Sequence, residues 1–178
     1  DLEHELTIPF ATAVVGGEAQ IGVRRADGRT ETIQVKVPAG IDNGQKIRLR
    51  GQGDPGSGGG VSGDILIKVK VAPHPHYQRN GKRLDVKVPI SLGEALAGAK
   101  IELPTPHGTI TLTVPPGTSS GSKLRVKGHG VRPSGEEPGA LFAEMEIVLP
   151  ENLKEDDRKK LAEIASSYNE NPRRELTW

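Results

Sequence analysis

The chain contains no cysteine, so it has neither a disulfide nor a thiolate metal site, a composition that suits a reducing compartment. Aromatic residues are scarce: Phe10, Tyr77, Phe142, Tyr168 and Trp178 are all there are, and they are scattered. That shortage disfavours carbohydrate recognition and the stacking platforms of single-stranded nucleic-acid binders. Charge of one sign is also missing, because Lys and Arg are interleaved with acids and the net charge is +1. No global electrostatic footprint for nucleic acid results. No apolar run approaches the ~20 residues of a membrane span, and nothing at the start has the pattern of a signal peptide. The opening residues are already strand-like, so the chain reads as a piece of a longer protein.

What is abundant is glycine and proline, as in a loop-rich β protein. The glycines fall in an ordered way. VKVPAGIDNGQKIRLRGQG at 35–53 returns as LTVPPGTSSGSKLRVKGHG at 112–130, with a constant offset of 77. GDILIKVKV at 63–71 matches GALFAEMEI at 139–147, and Thr12-Ala-Val-Val-Gly16 matches Glu94-Ala-Leu-Ala-Gly98. An internal duplication accounts for all three matches, and two units are too few for a solenoid. The expected fold is mainly β: two tandem, homologous, small β-sandwich-like domains, each with a short helix, followed by a C-terminal helix. Units this small bury a modest share of their surface, so packing between them or dimerisation should contribute to stability.

Leu6, Ile8 and Phe10 alternate with polar residues or proline, as does the run Leu84, Val86, Val88 and Ile90, and Ile21 and Val23 alternate with Gly22. The Asp27-Gly28 signal between Val23 and Ile33 predicts a hairpin of two long strands. Ser91-Leu-Gly-Glu94 has capping-box spacing, with Leu92, Ala95 and Leu96 placed to share one helix face. Its counterpart around Thr12 lacks the box. The stretch 53–63 reads as a mobile Gly/Ser-rich loop. After Pro150 the texture turns charged and helical, with Leu161, Ile164, Ala165 and Tyr168 at helical spacing. This helix is either an amphipathic cap on the second domain or a partner-binding surface.

Two motifs lose their usual meaning here. Gly51-Gln-Gly-Asp-Pro-Gly56 matches the dinucleotide-binding pattern, but that pattern must open a helix and this one opens a loop containing Pro55. His74 and His76 flank Pro75 with no Asp, Glu or Cys at a matching short spacing, so a proline-set loop conformation accounts for them better than a metal. No nucleophile–base pair is visible. No catalytic constellation, metal or cofactor is expected.

Each unit's strand, short helix ending in Gly, P-x-G-x-x-x-G-x-[KR]-[IL]-[KR] turn and G-x-G loop resembles the C-terminal substrate-binding domains of the J-domain co-chaperones, the DnaJ family. Gly63-Asp64-Ile65 followed by Val69, Val71, His74, Tyr77, Arg79, Gly81 and Leu84 is similar to that family's GDL...H..F.R.G..L signature, and Pro104-Thr105 with Gly108 to its PT..G turn. The resemblance covers essentially the whole chain. The Cys-x-x-Cys zinc module of one branch is absent, with only Arg24 to Glu31 in its place, which resembles the zinc-free branch. The His-Pro-Asp tripeptide and the Gly/Phe-rich linker that accompany the ATPase-stimulating part are not in this chain either. Ala140 stands where the first unit has Asp64, so the second loop is expected to be anchored differently.

The resemblance implies a non-enzymatic, cytoplasmic module that binds non-native polypeptides in a shallow apolar groove and presents them to a DnaK-type chaperone, with no membrane partner. It implies a client-binding domain I over 1–82, a domain II over 83–150, and a dimerisation helix and tail over 151–178. The groove it implies is lined by His4, Leu6, Ile21, Val23 and Tyr77. Read from alternation alone, the same residues fill the core of the first domain. The family also accepts an acidic partner tail on basic side chains, here Arg24, Arg25 and Lys36, for which a solvated surface is the alternative. Pairing through the C-terminal end makes Leu161, Ile164, Ala165 and Tyr168 interface residues of a homodimer. The alternative for the whole chain is a nucleic-acid-binding pair of β domains.

Overall fold

The structure is a computed structural model and describes every residue except Asp1, 57–59 and Asn169. Part of the expected 53–63 loop therefore lies outside the described residues. The base of that loop is tied, with the Gly53 amide donating to Gly63 at 2.7 Å and the Gly63 amide donating to Asp54 at 3.1 Å.

The first unit comprises β1 (Leu2–Ile8), α1 (Phe10–Val15), β2 (Gly17–Arg24), β3 (Thr30–Val37), β4 (Lys46–Leu49) and β5 (Ile65–Val71). Alternating apolar side chains give β1 one wet and one packed face, and β1 pairs in parallel with β5, Leu2 opposite Ile65 and Ile8 opposite Val71. β4 closes the other side of β5, giving the order β1-β5-β4. The predicted hairpin forms, with β2 and β3 antiparallel and Ile21 opposite Ile33. Its packed face lies on the sheet, so Ile21, Val23, Ile33 and Val35 share a core with Ile65 and Ile67, rimmed by Leu2, Leu6, Ile47 and Leu49.

The second unit repeats this plan with β7 (Arg83–Ser91), α2 (Leu92–Ala97), β8 (Ala99–Thr105), β9 (Gly108–Val114), β10 (Lys123–Val126) and β11 (Leu141–Val148). β7 pairs in parallel with β11, Leu84 opposite Leu141 and Ile90 opposite Ile147. The ladders thus match residue for residue: Leu2, His4, Leu6 and Ile8 occupy the places of Leu84, Val86, Val88 and Ile90. One strand of the second unit is not matched in the first among the described residues. β6 (Tyr77–Asn80) turns through Gly81, at φ 62°, and pairs antiparallel with β7, extending the second sheet to β10-β11-β7-β6.

The short helices end alike, at Gly16 (φ 79°) and Gly98 (φ 76°). A side chain there would be strained, and its Cβ would stand 2.9 Å from Ala39 N in one case and 2.9 Å from Pro116 Cδ in the other. The starts differ as predicted: Ser91 and Glu94 form the capping box, whereas α1 begins after Pro9 without a side-chain cap. Of the three residues expected to share the inner face of α2, Ala95 is buried and Leu92 half-buried, but Leu96 is exposed, because a helix of under two turns presents only a narrow stripe.

The units are packed on each other. Phe10 and Val14 of α1 leave the first core and join that of the second, among Leu84, Val88, Leu103 and Met145. Full burial of such side chains is worth roughly 1.5–3 kcal/mol each. Arg79 of β6 donates back to the carbonyls of Ile41 at 2.6 Å and Gly40 at 2.8 Å. Beyond the second unit, α3 (Glu155–Ser166) begins with Glu155, Asp156 and Asp157 in its first turn, which its dipole favours, and buries none of its residues. The cap arrangement, one of the two roles open to this helix, is therefore not adopted.

Candidate functional site

On one side of the first unit β1 and β2 run as neighbouring edges of their sheets. β1 is outermost in β1-β5-β4, and β2 pairs only with β3 among the described residues. Leu2, His4 and Leu6 point from β1 towards the hairpin and remain half-buried, while Ile21 and Val23 are buried beneath them. Leu6 packs in the same cluster as Ile21 and Val23. The result is an apolar seam with a closed floor and a half-open rim. Its rim is mixed, since His4 stands between two leucines.

Four of the five residues named from the sequence thus lie on neighbouring strands of the first unit: Ile21 and Val23 are buried in its core, and Leu6 and His4 are half-buried at its margin. Tyr77 is elsewhere. It belongs to the second unit's core with Val86 and Leu103, is 7% exposed, and its hydroxyl donates to the Pro104 carbonyl at 2.6 Å. The hairpin through Gly81 carries it there, setting Tyr77 opposite Val86. Burial pushes its phenol up to about 12.

His74 organises the turn before β6. Its Nδ1 accepts from the amides of His76 and Tyr77, both at 3.1 Å, and its ring lies edge-on to Tyr77 at 5.4 Å and tilted to Phe10 at 5.6 Å. Among the described residues no three His, Asp or Glu side chains gather closely enough to share a metal ion. Phe10, His74, Tyr77, Val88, Ile101 and Leu103 line a largely apolar cleft of about 680 Å³ between the units. Sequence alternation did not bring these residues together, because they come from four separate segments.

The three cations divide. Arg24 and Lys36 lie on the outer face of the hairpin, away from Ile21 and Val23. Arg25 is engaged structurally, donating from Nε to Glu31 at 2.8 Å and from Nη1 to the carbonyls of Gln52 at 2.5 Å and Gly53 at 3.1 Å. Sequence reasoning did not single out this clamp, since its acceptors are backbone groups in a distant loop. Leu161, Ile164, Ala165 and Tyr168 are all exposed on α3 and the turn after it, with Ile164 at 61% and Tyr168 at 74%.

The two G-x-G loops are anchored by different chemistry. In the first unit Asp64 accepts from the Gly51 amide at 2.7 Å and from Arg48 Nε at 2.5 Å, and these bonds, the amide foremost, hold its carboxyl below the usual range. In the second unit Ala140 has no such group. There the Gly130 amide donates to Gly139 at 3.0 Å, the Gly139 amide to Val131 at 2.8 Å, and His107 Nε2 meets the Gly130 carbonyl at 2.7 Å. Burial lowers the His107 pKa, which favours a neutral ring with its proton on Nε2.

A duplicated unit of three-stranded sheet, crossing hairpin and short helix, with half-buried apolar side chains along β1 in the first copy and an added strand in the second, makes a two-unit β scaffold. Residues 2–150 match the family described as the DnaJ C terminal domain, and the chain belongs to that family. It is 41% identical over 150 residues to the Curved DNA-binding protein of Pseudomonas putida strain GB-1, an alignment covering 84% of this chain and 47% of the relative. It is 40% identical over 170 residues to the Curved DNA-binding protein of Escherichia coli strain K12 / DH10B, covering 94% and 54% respectively. The chain spans about half the length of these curated relatives.

Proposed function

We propose that this chain is the client-holding part of a co-chaperone: it binds non-native polypeptides along the seam between β1 and β2 and presents them to a DnaK-type chaperone in the cytoplasm. The observation that carries the reading is the row of half-buried apolar side chains, Leu2 and Leu6, on β1, the outermost strand of its sheet among the described residues, over the floor of Ile21 and Val23. An extended chain there gains apolar contact and backbone hydrogen bonds without a demanding sequence preference. The test is fluorescence anisotropy with a labelled, extended apolar peptide, comparing the wild type with Leu6→Ser. Saturable binding that weakens in a variant of unchanged circular dichroism supports the groove. Equal binding by both removes Leu6 from the site, and no binding by either refutes the reading. Ile21 and Val23 are poorer reporters, because their substitution disturbs the core.

In this reading the first client-binding unit is continuous with a second unit and with α3, whose exposed Leu161, Ile164, Ala165 and Tyr168 form a twofold interface. Two grooves joined in this way hold one client at raised effective concentration. Truncation before Glu151 then yields a monomer with weaker client binding, and a truncated chain that still sediments as a dimer refutes the interface. Arg24 and Lys36 remain available on the hairpin's outer face for an acidic partner tail, and Arg25, held by Glu31 and two carbonyls, serves the loop first.

A second reading, DNA binding, is favoured by the names of the relatives. Against it, several cations are already paired with acids: Lys46 with Glu3, Arg48 with Asp64, Lys70 with Glu5 and Lys82 with Glu136. Titration with a labelled duplex at two salt concentrations separates the readings, since affinity built on phosphate contacts falls steeply with salt.

A further inference from the structure

Two asparagines in the chain precede a glycine, Asn43 before Gly44 and Asn80 before Gly81, and the fold treats the two pairs differently. In such a pair the amide nitrogen of the glycine can attack the asparagine side chain, because glycine carries no Cβ to obstruct the approach. The reaction needs that nitrogen free of an acceptor and able to lose its proton. Asn43-Gly44 fails on the first count. The Gly44 amide donates to the carbonyl of buried Val69 at 2.7 Å, and Asn43 Oδ1 accepts from the Val71 amide at 2.9 Å, so both reacting groups are tied to β5. Of the other asparagines, Asn152 precedes the bulkier Leu153, and Asn171 precedes Pro172, which has no amide proton.

Asn80-Gly81 is the opposite case. The pair stands at the tip of the β6–β7 hairpin, where Asn80 forms the last rung with Arg83, and Gly81 and Lys82 make the turn. Both residues are exposed, and an added Cβ at Gly81 would meet nothing within 4 Å. Among the described residues neither the Gly81 amide nor the Asn80 side chain has a hydrogen-bond partner. Arg79 meets the second requirement. Its Nε donates to the Gly81 carbonyl at 2.8 Å, which sets a guanidinium charge beside the amide, and a positive charge there favours loss of the amide proton.

We propose that Asn80 is a site of spontaneous covalent modification, and that the change loosens the joint between the two units. The Gly81 nitrogen, having lost its proton, bonds to Asn80 Cγ; the Cγ–Nδ2 bond breaks, and the side-chain nitrogen leaves as ammonia with a proton from solvent. A cyclic imide results. Water then adds to one of its two carbonyls: opening at Cγ gives an aspartyl residue, and opening at the main-chain carbonyl gives an isoaspartyl residue whose peptide link runs through Cβ and Cγ. No oxidant or cofactor enters. The isoaspartyl form lengthens the main chain beside a two-residue turn and unseats the Asn80–Arg83 rung. β6 also carries Arg79, whose bonds to the Ile41 and Gly40 carbonyls span the two units, so a displaced rung is felt at the joint. The aspartyl form keeps the chain length and adds only an exposed carboxylate beside Arg79, a change of small energetic weight.

The test incubates the chain at mildly alkaline pH, folded and in urea, and follows both asparagines by peptide mass mapping with chromatographic separation of aspartyl and isoaspartyl products. In the folded protein Asn80 is expected to convert about tenfold or more faster than Asn43, because Gly44 reacts only after its bond to Val69 opens. In urea, where that bond is lost, the difference is expected to narrow. Equal rates in the folded protein, a difference unchanged in urea, or an Asn80 that converts in urea but persists in the folded chain would each overturn the proposal. Asn80→Gln, whose longer side chain closes a larger ring more slowly, is expected to stay unmodified and to keep its urea midpoint after incubation. The isoaspartyl fraction of the aged wild type is expected to unfold at lower urea than fresh protein. Asn80→Asp, which carries the new charge without the longer main chain, is expected to unfold with the fresh protein. An isoaspartyl fraction with an unchanged midpoint would overturn the effect on the joint.

Discussion

The hydroxyl of Tyr77 donates to the carbonyl of Pro104 at 2.6 Å, tying β6 to β8 across the mouth of the second unit. With its phenol pushed up to about 12, this group remains a donor throughout the neutral range. Tyr77→Phe removes the hydrogen bond to the Pro104 carbonyl and is expected to cost about 1 kcal/mol in urea unfolding, whereas Tyr77→Ala, which also opens a cavity, is expected to cost about 3–5 kcal/mol. A Tyr77→Ala variant as stable as the wild type would show that β6 is not packed as described.

Asp64 links stability of the first unit to pH. Its carboxyl titrates below the ordinary 3.8 because Gly51 and Arg48 favour the charged form. A depressed carboxylate contributes stability above the unfolded-state value and loses it as pH falls through the folded-state value. Protection of the Gly51 amide in hydrogen exchange is therefore expected to collapse as pH falls below 3.8, and Asp64→Asn is expected to lack that protection at neutral pH as well. Retained protection in Asp64→Asn would contradict this anchor.

His107 acts on the second unit in a different window. Its folded-state pKa lies below the ordinary 6.5, chiefly through burial, so protonation favours the unfolded chain. The stability it contributes is complete above 6.5 and is lost as pH falls through its lower, folded-state value. Unfolding monitored from neutral to mildly acidic pH is expected to show a decline that His107→Gln flattens, and the imidazole proton shifts by NMR should titrate below 6.5. A titration above that value would reverse the assignment.

Gly139 sits against the Lys82 carbonyl, and a Cβ there would overlap backbone atoms of Lys82. Gly139→Ala is expected to cost about 3 kcal/mol or more, because the obstacle is main chain and cannot swing aside. Gly28→Ala is a useful contrast: no atom lies within 4 Å of its added carbon, so its cost comes only from φ 84°. Thermal unfolding of the two variants distinguishes steric from conformational strain, and equal small losses would argue against the tight packing at Lys82.

Much of this architecture was legible because the chain states it twice. The repeated Pro-x-Gly turns and G-x-G loops delimited two units, and Ser91 with Glu94 announced a helix start that the geometry completes. Asp27-Gly28 likewise announced the β2–β3 hairpin. Alternation, however, reports which face of a strand is packed and says nothing of the neighbouring strand. The parallel pairing of β1 with β5 joins segments separated by a helix, a hairpin and a loop, and no local signal encodes it. The same limit explains Tyr77: its spacing from the Gly-Asp-Ile segment ties it to the first unit in sequence, yet the Asn80-Gly81 turn folds it onto Val86. Attention to that turn would have found its place. For α3 the periodicity of Leu161, Ile164 and Ala165 was readable, but whether such a stripe meets its own domain is a tertiary fact, and here it does not.

The parallel ladder between β1 and β5 also sets how the first unit bears load. β1 is entered at Leu2, and the chain leaves β5 at Val71 towards the second unit. Tension between those two points slides the strands past each other, so the rungs from Leu2–Ile65 to Ile8–Val71 resist together; a hairpin pulled open at its end would lose its rungs one by one. A segment laid on the outer edge of β1 is in turn drawn along the strand axis. The first unit can thus be tugged through its neighbour without unzipping, while whatever lies beside β1 feels the same pull as shear.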